Sequence, residues 1–589
     1  MNGTRLVVGL DYGTTYTGVS FCETSGGNDI KNEHIEIVHD WPSQHTKIAT
    51  KEKVPSEVAY QPTELWGAMI PSNVPRHLWT KLELENRPIG EAAKVHEESS
   101  MALTVYKTPI DIISDFLGHV KKHLIDVLNR KYGEELWRSL PITLVVTVPA
   151  VWSDVAKART RQAVEKAGFN SNHFPKLDSI IDATEPESAA IHTIATLRNS
   201  AHDAQFEKDD GFILCDMGGG TVDLISYKIA KLNPTVVEEV TVGSGDQCGG
   251  TFVDRAFLQW LERRLGTEDF IKIAGCRSEQ IPRIMLSKKA ARMLQNFTMG
   301  TKGGFSGSES YPLPLPSPLS SILDDPERGI EDGEIKINAE DLESMFDMPV
   351  RKTYELLSKQ LKEARKSKKV AMKWVFLVGG FSESAYMYRK IKEWANDNDL
   401  QAFRPTYAWS AVARGAVAKG LEGETRIVAK RKNRRHYGTS VVKIFTKGLH
   451  MEKDAYICNY TGEKRARNQM NWLLKMGQDL PTSGPSHVKI PMCTRFWPSE
   501  KRECSLRLEA SNRTRAPKRS IDSGVFSVAT AMADLSLVPE EEFKIKASPG
   551  GRTYYYLSYD IELSVQSSME MYVSVNGKRY GHKLTAAYE

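Results

Sequence analysis

The chain has 589 residues, of which 40% are hydrophobic, 9% aromatic and 26% charged. That balance supports more than one packed core and excludes disorder across the whole chain, and no apolar run reaches the ~20 residues that a membrane-spanning helix needs. Net charge is only +5 but unevenly placed: from Thr425 onward 28 Lys/Arg face 16 Asp/Glu, so this part carries +12 against −7 for the 424 residues before it.

In chain order, the N-terminus MNGTRLVVGLDYG has no basic lead and cleavage site and enters a strand at once, so no signal peptide is expected. Leu6–Gly9 and Thr17–Phe21 read as short strands around a tight turn. Ile112 to Leu128 carries apolar residues at 113, 116, 117, 120, 124, 127 and 128, the stripe of an amphipathic helix. Ile142–Val148 is a buried strand, and Ser153 caps a helix that stops at Gly168. Phe212–Asp216 and Val222–Tyr227 repeat the strand, turn, strand pattern. A helix through Val253, Phe257, Trp260 and Leu265 ends at Gly266. The Gly-, Ser- and Pro-rich run 300–321 reads as a mobile, inserted surface loop. A helix through Val350, Tyr354, Leu357 and Leu361 feeds the strand Trp374–Val378, and a last helix follows Ser384. This alternation predicts a layered α/β domain.

The run Arg426 to Arg435 holds six basic residues. With no aromatic residues interleaved, it reads as a solvated basic linker over 426–436 rather than a nucleic-acid surface. After it the texture changes. Lys544–Ala547, Tyr554–Leu563 and Met569–Val575, with turns at Pro549-Gly550-Gly551 and Asn576-Gly577, predict an antiparallel β domain over 437–589. Seven cysteines with no CxxC pair argue against a disulfide framework or a cysteine-built zinc site. A cytoplasmic location, extending to the nucleus, is expected.

The chemistry sits in a repeat. LVVGLDYGTTYTGVSF (6–21) and FILCDMGGGTVDLISY (212–227) each place an Asp at the end of an apolar strand, then a Gly/Thr turn, then a second strand. Two such copies point to two related lobes facing one cleft. Glycine turns let backbone N–H groups approach phosphate oxygens. Threonine hydroxyls add neutral donors, and strand-end aspartates hold Mg²⁺ mostly through its waters. A third glycine turn, WVFLVGGFSES (374–384), would let a base or ribose lie against Gly379, Gly380 and Phe381.

These residues resemble the ATPase domain of the heat-shock seventy-kilodalton (DnaK-type) chaperone family, within the actin-like (ribonuclease H-like) fold. VVTVPAVWSDVAKARTRQAVEKAGF (145–169), ATEPESAA (183–190) and GSGDQCGGTFVDRAF (243–257) are similar to further motifs of that family and follow in its order. The resemblance implies a two-lobed nucleotide-binding domain over 1–425, with lobe I at about 1–185, lobe II at about 186–400 and the insertion at 300–321. The C-terminal β domain is then similar to a lidless substrate-binding domain. It also implies ATP/ADP and Mg²⁺ as cofactors, with Asp11 and Asp216 anchoring the metal's waters. Glu185 would hold that hydration shell or orient the attacking water, and Asp223 would join the acidic cluster. Gly13, Thr14, Thr15 and Tyr16 from one turn, and Gly218, Gly219, Gly220 and Thr221 from the other, would surround the phosphates. Gly249 and Gly250 would lie beside them. Lys81 is the candidate by order for a lysine near the γ-phosphate, and Lys288 and Arg292 for the nucleoside side.

The pattern departs from the family at that nucleoside side: Ala291 and Gln295 stand at ribose-contact positions, and Trp409-Ser410 at an Asp-Glu pair. The VGGFSES turn and the ending resemble the branch that includes the class-twelve heat-shock relatives and fungal heat-shock-70-like proteins. The implied function is an ATP-binding, slowly hydrolysing, chaperone-like protein whose nucleotide state controls a protein or peptide client. Nucleotide-exchange or J-type cochaperones are implied partners; no membrane or nucleic-acid partner is expected. The alternatives are a nucleotide-binding pseudo-ATPase scaffold, or a small-molecule kinase of the same superfold.

Overall fold

A computed structural model describes residues 4–24, 34–44, 51–85, 90–102, 107–150, 152–198, 206–367, 369–422, 426–482, 486–565 and 569–584. The chain forms two compact units, Met1–Ile427 and Val428–Glu589.

In the first unit, two sheets repeat one arrangement. The seven residues of β1 (Leu6–Tyr12) are all buried, as a central strand covered on both faces requires. Strand β1 pairs antiparallel with β2 (Tyr16–Glu23), from Leu6↔Glu23 to Tyr12↔Thr17. On its other side β1 pairs parallel with β3 (Ile142–Val148), which pairs parallel with β4 (Leu177–Thr184). Strand β4 runs straight into helix α1 (Glu185–Arg198). In the second sheet β5 (Asp210–Met217) pairs antiparallel with β6 (Val222–Lys231), Val222↔Met217 closing the turn. Strand β7 (Ala371–Val378) lies parallel to β5 on its far side. Each sheet therefore sets a hairpin beside a parallel strand, with an aspartate near the hairpin turn.

Helices cover both sheets. Thr108 opens the helix Pro109–Tyr132 with a reciprocal capping box to Asp111, and the Ser153 hydroxyl accepts from the Ala156 N–H to open Asp154–Lys166. Residues of β5 and β6 share one hydrophobic core with α2 (Thr251–Leu265), ended by Gly266, and α3 (Lys288–Asn296). There the Phe257 ring stacks on Phe297 with centroids 4.1 Å apart. A late helix, α4 (Ala411–Leu421), returns to β1 and α1; its Ala/Gly-rich sequence lets it be buried on nearly every face. Among the described residues no helix is long and apolar enough to cross a membrane.

Two expectations need correction. The run 300–321 is not a plain loop: Tyr311–Pro314 forms an edge strand on Glu334–Ile337, and Phe305, Leu313, Leu315 and Leu319 are buried. Proline is tolerated on an edge because no ladder partner needs its missing N–H, and the leucines between the prolines supply the apolar face. The basic run 426–435 is not a free spacer either. Val428–Lys432 is a strand paired antiparallel with Asp479–Pro481, with Lys432 Nζ 2.5 Å from Asp479.

The second unit is built from antiparallel strands, and its described residues contain no α-helix. One five-stranded sheet is ordered 455–457, 464–474, 436–444, 503–511, 525–534. The other is ordered 486–496, 553–565, 569–575, 578–584, with 544–547 also on 553–565. Leu535, Leu557, Ile561 and Val573 fill its core. The predicted turn at Asn576-Gly577 has φ of 50° and 83°, the left-handed pair a two-residue hairpin demands.

Candidate functional site

A cavity of about 500 Å³ opens in the first unit where the two hairpin turns face one another. Its wall includes Asp11, Gly13, Thr14, Thr15 and Tyr16 from the β1–β2 turn, and Asp216, Gly218, Gly219, Gly220, Thr221 and Asp223 from the β5–β6 turn. Lys81, Glu185, Gly250, Gly379, Gly380 and Phe381 complete the predicted residues that reach it. Gly249, Lys288 and Arg292 are not among the lining residues. Gly249 instead packs behind the second turn, donating its N–H to the Gly220 carbonyl at 3.2 Å. Lys288 and Arg292 are exposed on α3, and the segment just after α3 reaches the cavity in their place, through Thr298, Lys302 and Gly303. The chain widens there into a π-helical turn, Phe297–Lys302, which shifts the face presented to the cleft relative to a straight helix.

Local folding explains the placement. Asp11 and Asp216 sit at corresponding ends of β1 and β5, where the strand leaves the sheet for its turn. Glu185 is the first residue of α1, immediately after β4. The Gly250 and Thr251 N–H groups donate to the carbonyls of Gly218 (3.1 Å) and Gly219 (2.9 Å). This ties the carbonyl side of the glycine turn to the start of α2. The Gly218 N–H is used within the turn, on the Thr221 carbonyl at 2.9 Å, so the Gly219 and Gly220 amides are the ones that face an anion. Gly379, at φ 83° and ψ 159°, turns β7 away so that its backbone lies against Asp216; few residues except glycine adopt that geometry.

The electrostatics are those of a crowded acidic cluster. Asp216 is pushed up to about 7 by burial, then by the charges of Glu185 and Asp223, with Lys53 opposing. Burial likewise raises Glu185, against the pull of Lys81, and raises Asp223, against the hydroxyl of Thr221 that donates to it at 2.9 Å. Four carboxylates converging in one cleft need cations. Lys81, buried and not on the surface, donates to Glu185. Lys302 donates to Asp254 at 2.7 Å and to the Gly250 carbonyl at 2.6 Å.

Several of these residues escaped the sequence reasoning. Lys53 lies 2.6 Å from Asp11, and Lys51, Asp254, Thr298 and Lys302 also line the cavity. Asp254 falls inside the 243–257 motif and could have been noticed there; nothing in KEKVPS marks Lys53 as buried. Away from the carboxylates the wall turns aromatic. Tyr16 meets Trp409 edge-on at 5.7 Å, Phe381 lies close by, and Lys302 stands over the Phe381 ring at 5.9 Å.

The donor set fits a hydrated magnesium with a polyphosphate. Among the described residues no group of three or more His, Cys, Asp or Glu side chains is arranged to grip a metal directly. Two facing aspartates with hydroxyls and amides around them suit an ion that keeps most of its water. Threonine hydroxyls, backbone amides and lysines suit the phosphates, and the aromatic end suits a base.

A family model described as Hsp70 protein matches residues 108–427. Among curated proteins, heat shock 70 kDa protein 12B of Homo sapiens is 23% identical over 523 residues, covering 76% of this chain and 72% of that protein. Heat shock 70 kDa protein 12A of Mus musculus is 22% identical over 513 residues, covering 76% and 73%. Chaperone protein HscA homolog of Aliivibrio fischeri (strain MJ11) is 23% identical over 431 residues, covering 70% of this chain and 57% of that protein.

Proposed function

This chain belongs to the Hsp70 protein family, and we propose that it binds ATP with magnesium in the two-hairpin cleft, hydrolyses it slowly, and uses the nucleotide state to control a protein or peptide client. The observation that carries the reading is the convergence of two matched Asp–Gly/Thr turns on one cavity with Glu185 and Lys81 between them. Asp11 and Asp216 would hold the magnesium through its waters; the bound ion would supply charge neutralisation on the phosphates. Thr14 and Thr15 offer hydroxyls, and Gly219 and Gly220 offer amides, to the phosphate oxygens, while the Thr221 hydroxyl holds Asp223 beside them. Glu185 accepts a hydrogen bond from the attacking water and aligns it, while Lys81 stabilises charge that develops on the terminal phosphate. Catalysis on this reading is positioning and electrostatics, with no covalent nucleophile. The Tyr16–Phe381–Trp409 end would take the base, and the second, β-built unit would take the client.

A second reading, a nucleotide-binding scaffold without turnover, is favoured by one observation: Lys53 occupies an oxygen of Asp11 that the metal's water would use.

Phosphate release from MgATP by the purified chain, beside Asp216→Asn and Thr221→Ala, separates these readings. Slow release that both substitutions reduce supports the ATPase. Nucleotide binding without release supports the scaffold. Neither binding nor release would refute both.

A further inference from the structure

Lys53 is a buried lysine whose position is built by the fold. The short strand Val54–Pro55 pairs with β2 through Tyr16↔Pro55 and Thr17↔Val54. Next to it the Ser56 N–H donates to the Thr15 carbonyl at 2.9 Å, and the Ser56 hydroxyl to the Gly13 carbonyl at 2.8 Å. These bonds clip the segment onto the first phosphate-type turn. They carry the Lys53 stem across Gly18, where a Cβ would lie 3.1 Å from Lys53 Cγ and 3.2 Å from its Cε. Gly18 is thus the gap that lets the stem pass. The ammonium then reaches Asp11 Oδ2 at 2.6 Å, with the two side chains 9% and 5% exposed. Thr147 donates to the other oxygen, Oδ1, at 3.2 Å. Both oxygens of Asp11 are therefore engaged from within the protein.

The ammonium serves more than one carboxylate. Asp216 and Glu185 share the cavity wall with Lys53 and Asp11. Of the other cavity lysines, Lys81 pairs with Glu185 and Lys302 with Asp254, while Lys51 lies 3.8 Å from the Met299 sulfur. Lys53 stands on Asp11, one of the two aspartates proposed to hold the magnesium.

Resting on the ATP reading above, we propose that Lys53 is a tethered counter-cation of the carboxylate cluster, which leaves Asp11 for the phosphates when magnesium and nucleotide enter. A water of the magnesium and the ammonium would donate to the same Asp11 oxygen, and the two cations repel across it, so metal occupancy displaces the ammonium. A lysine head on a four-carbon stem, with three rotatable donors, can make that move without backbone change. Terminal phosphate oxygens are the anions that then arrive within its reach. The consequence is a cleft that carries its own positive charge and depends less on magnesium for holding a nucleotide.

The test is nucleotide binding by the full chain, with ATP titrated in magnesium and again in excess chelator, for the unaltered protein, Lys53→Gln and Lys53→Met. The glutamine can still donate to Asp11, so the buried carboxylate keeps a partner if the methionine variant folds poorly. The unaltered chain should bind ATP in chelator, and Lys53→Gln should lose about tenfold to hundredfold of that affinity, the scale of one charge-assisted hydrogen bond. In saturating magnesium the loss should be smaller. Magnesium alone should raise the melting temperature of Lys53→Gln more than that of the unaltered chain, because its entry no longer has to displace an ammonium. If Lys53→Gln binds ATP in chelator as tightly as the unaltered chain, the role of Lys53 is overturned while the ATP reading stands. If the unaltered chain binds no nucleotide in either condition, the ATP reading fails and takes this proposal with it.

Discussion

The sharpest single perturbation of the cleft is Gly379→Ala. Gly379 has φ 83° and ψ 159°, a region that an L side chain enters at a cost of about 1–3 kcal/mol. The added Cβ would also lie 2.4 Å from Asp216 Oδ1 and 2.6 Å from the Met217 carbonyl oxygen. One contact is with a carboxylate proposed to hold the metal's water and the other with rigid strand backbone, so the aspartate must yield. A carboxylate displaced by ~1 Å costs on the order of a hundredfold in a positioned site. We expect MgATP affinity, read by titration with a fluorescent nucleotide, to fall tenfold to hundredfold as an order of magnitude. Gly133→Ala is the control. Gly133 has nearly the same backbone, φ 79° and ψ 145°, with nothing within 4 Å of the added Cβ. It should lower stability by a similar strain and leave nucleotide affinity alone. Wild-type affinity in Gly379→Ala, or an equal loss in both variants, would refute the placement of Asp216 in the binding machinery.

The pH dependence follows from Asp216, whose carboxyl is pushed up to about 7 from 3.8. The folded chain holds a proton there that the unfolded chain releases, so the empty protein loses stability as pH rises from about 4 to about 7. MgATP binding, which uses the carboxylate, should strengthen between pH ~6 and ~8, and titrations at several pH values should show this slope flattened in Asp216→Asn. Lys81→Met, which leaves Glu185 without its buried partner, should slow phosphate release about a hundredfold or more while changing nucleotide affinity far less; equal losses in both would assign Lys81 to binding alone. Phe257→Ala removes a fully buried ring stacked on Phe297 and should cost about 3–5 kcal/mol. The urea midpoint of the first unit, followed by far-ultraviolet circular dichroism of its helices, reads that loss, and an unchanged midpoint would contradict the packing.

Much of the cleft was legible because its chemistry is local. Strand, Asp, Gly/Thr turn, strand is a contiguous word, and both copies fold as hairpins whose turns meet at one cavity. Helix ends were legible for the same reason: Ser153, Gly266 and the Asn576-Gly577 turn act on backbone groups within a few residues of themselves. Tertiary structure alone decided what distant segments contribute. Lys53 looks like a surface lysine until the clip at Ser56 and the gap at Gly18 carry it to Asp11. Position along α3 selected Lys288 and Arg292, but the π-helical turn after them brings Thr298 and Lys302 to the wall instead. The composition of 300–321 and 426–435 suggested solvated chain, yet pairing with Glu334–Ile337 and Asp479–Pro481 made strands of both. Periodicity and turn chemistry act over a few residues and are written in the sequence. Burial of a charge and pairing at an edge depend on partners far along the chain, and only the folded molecule brings those together.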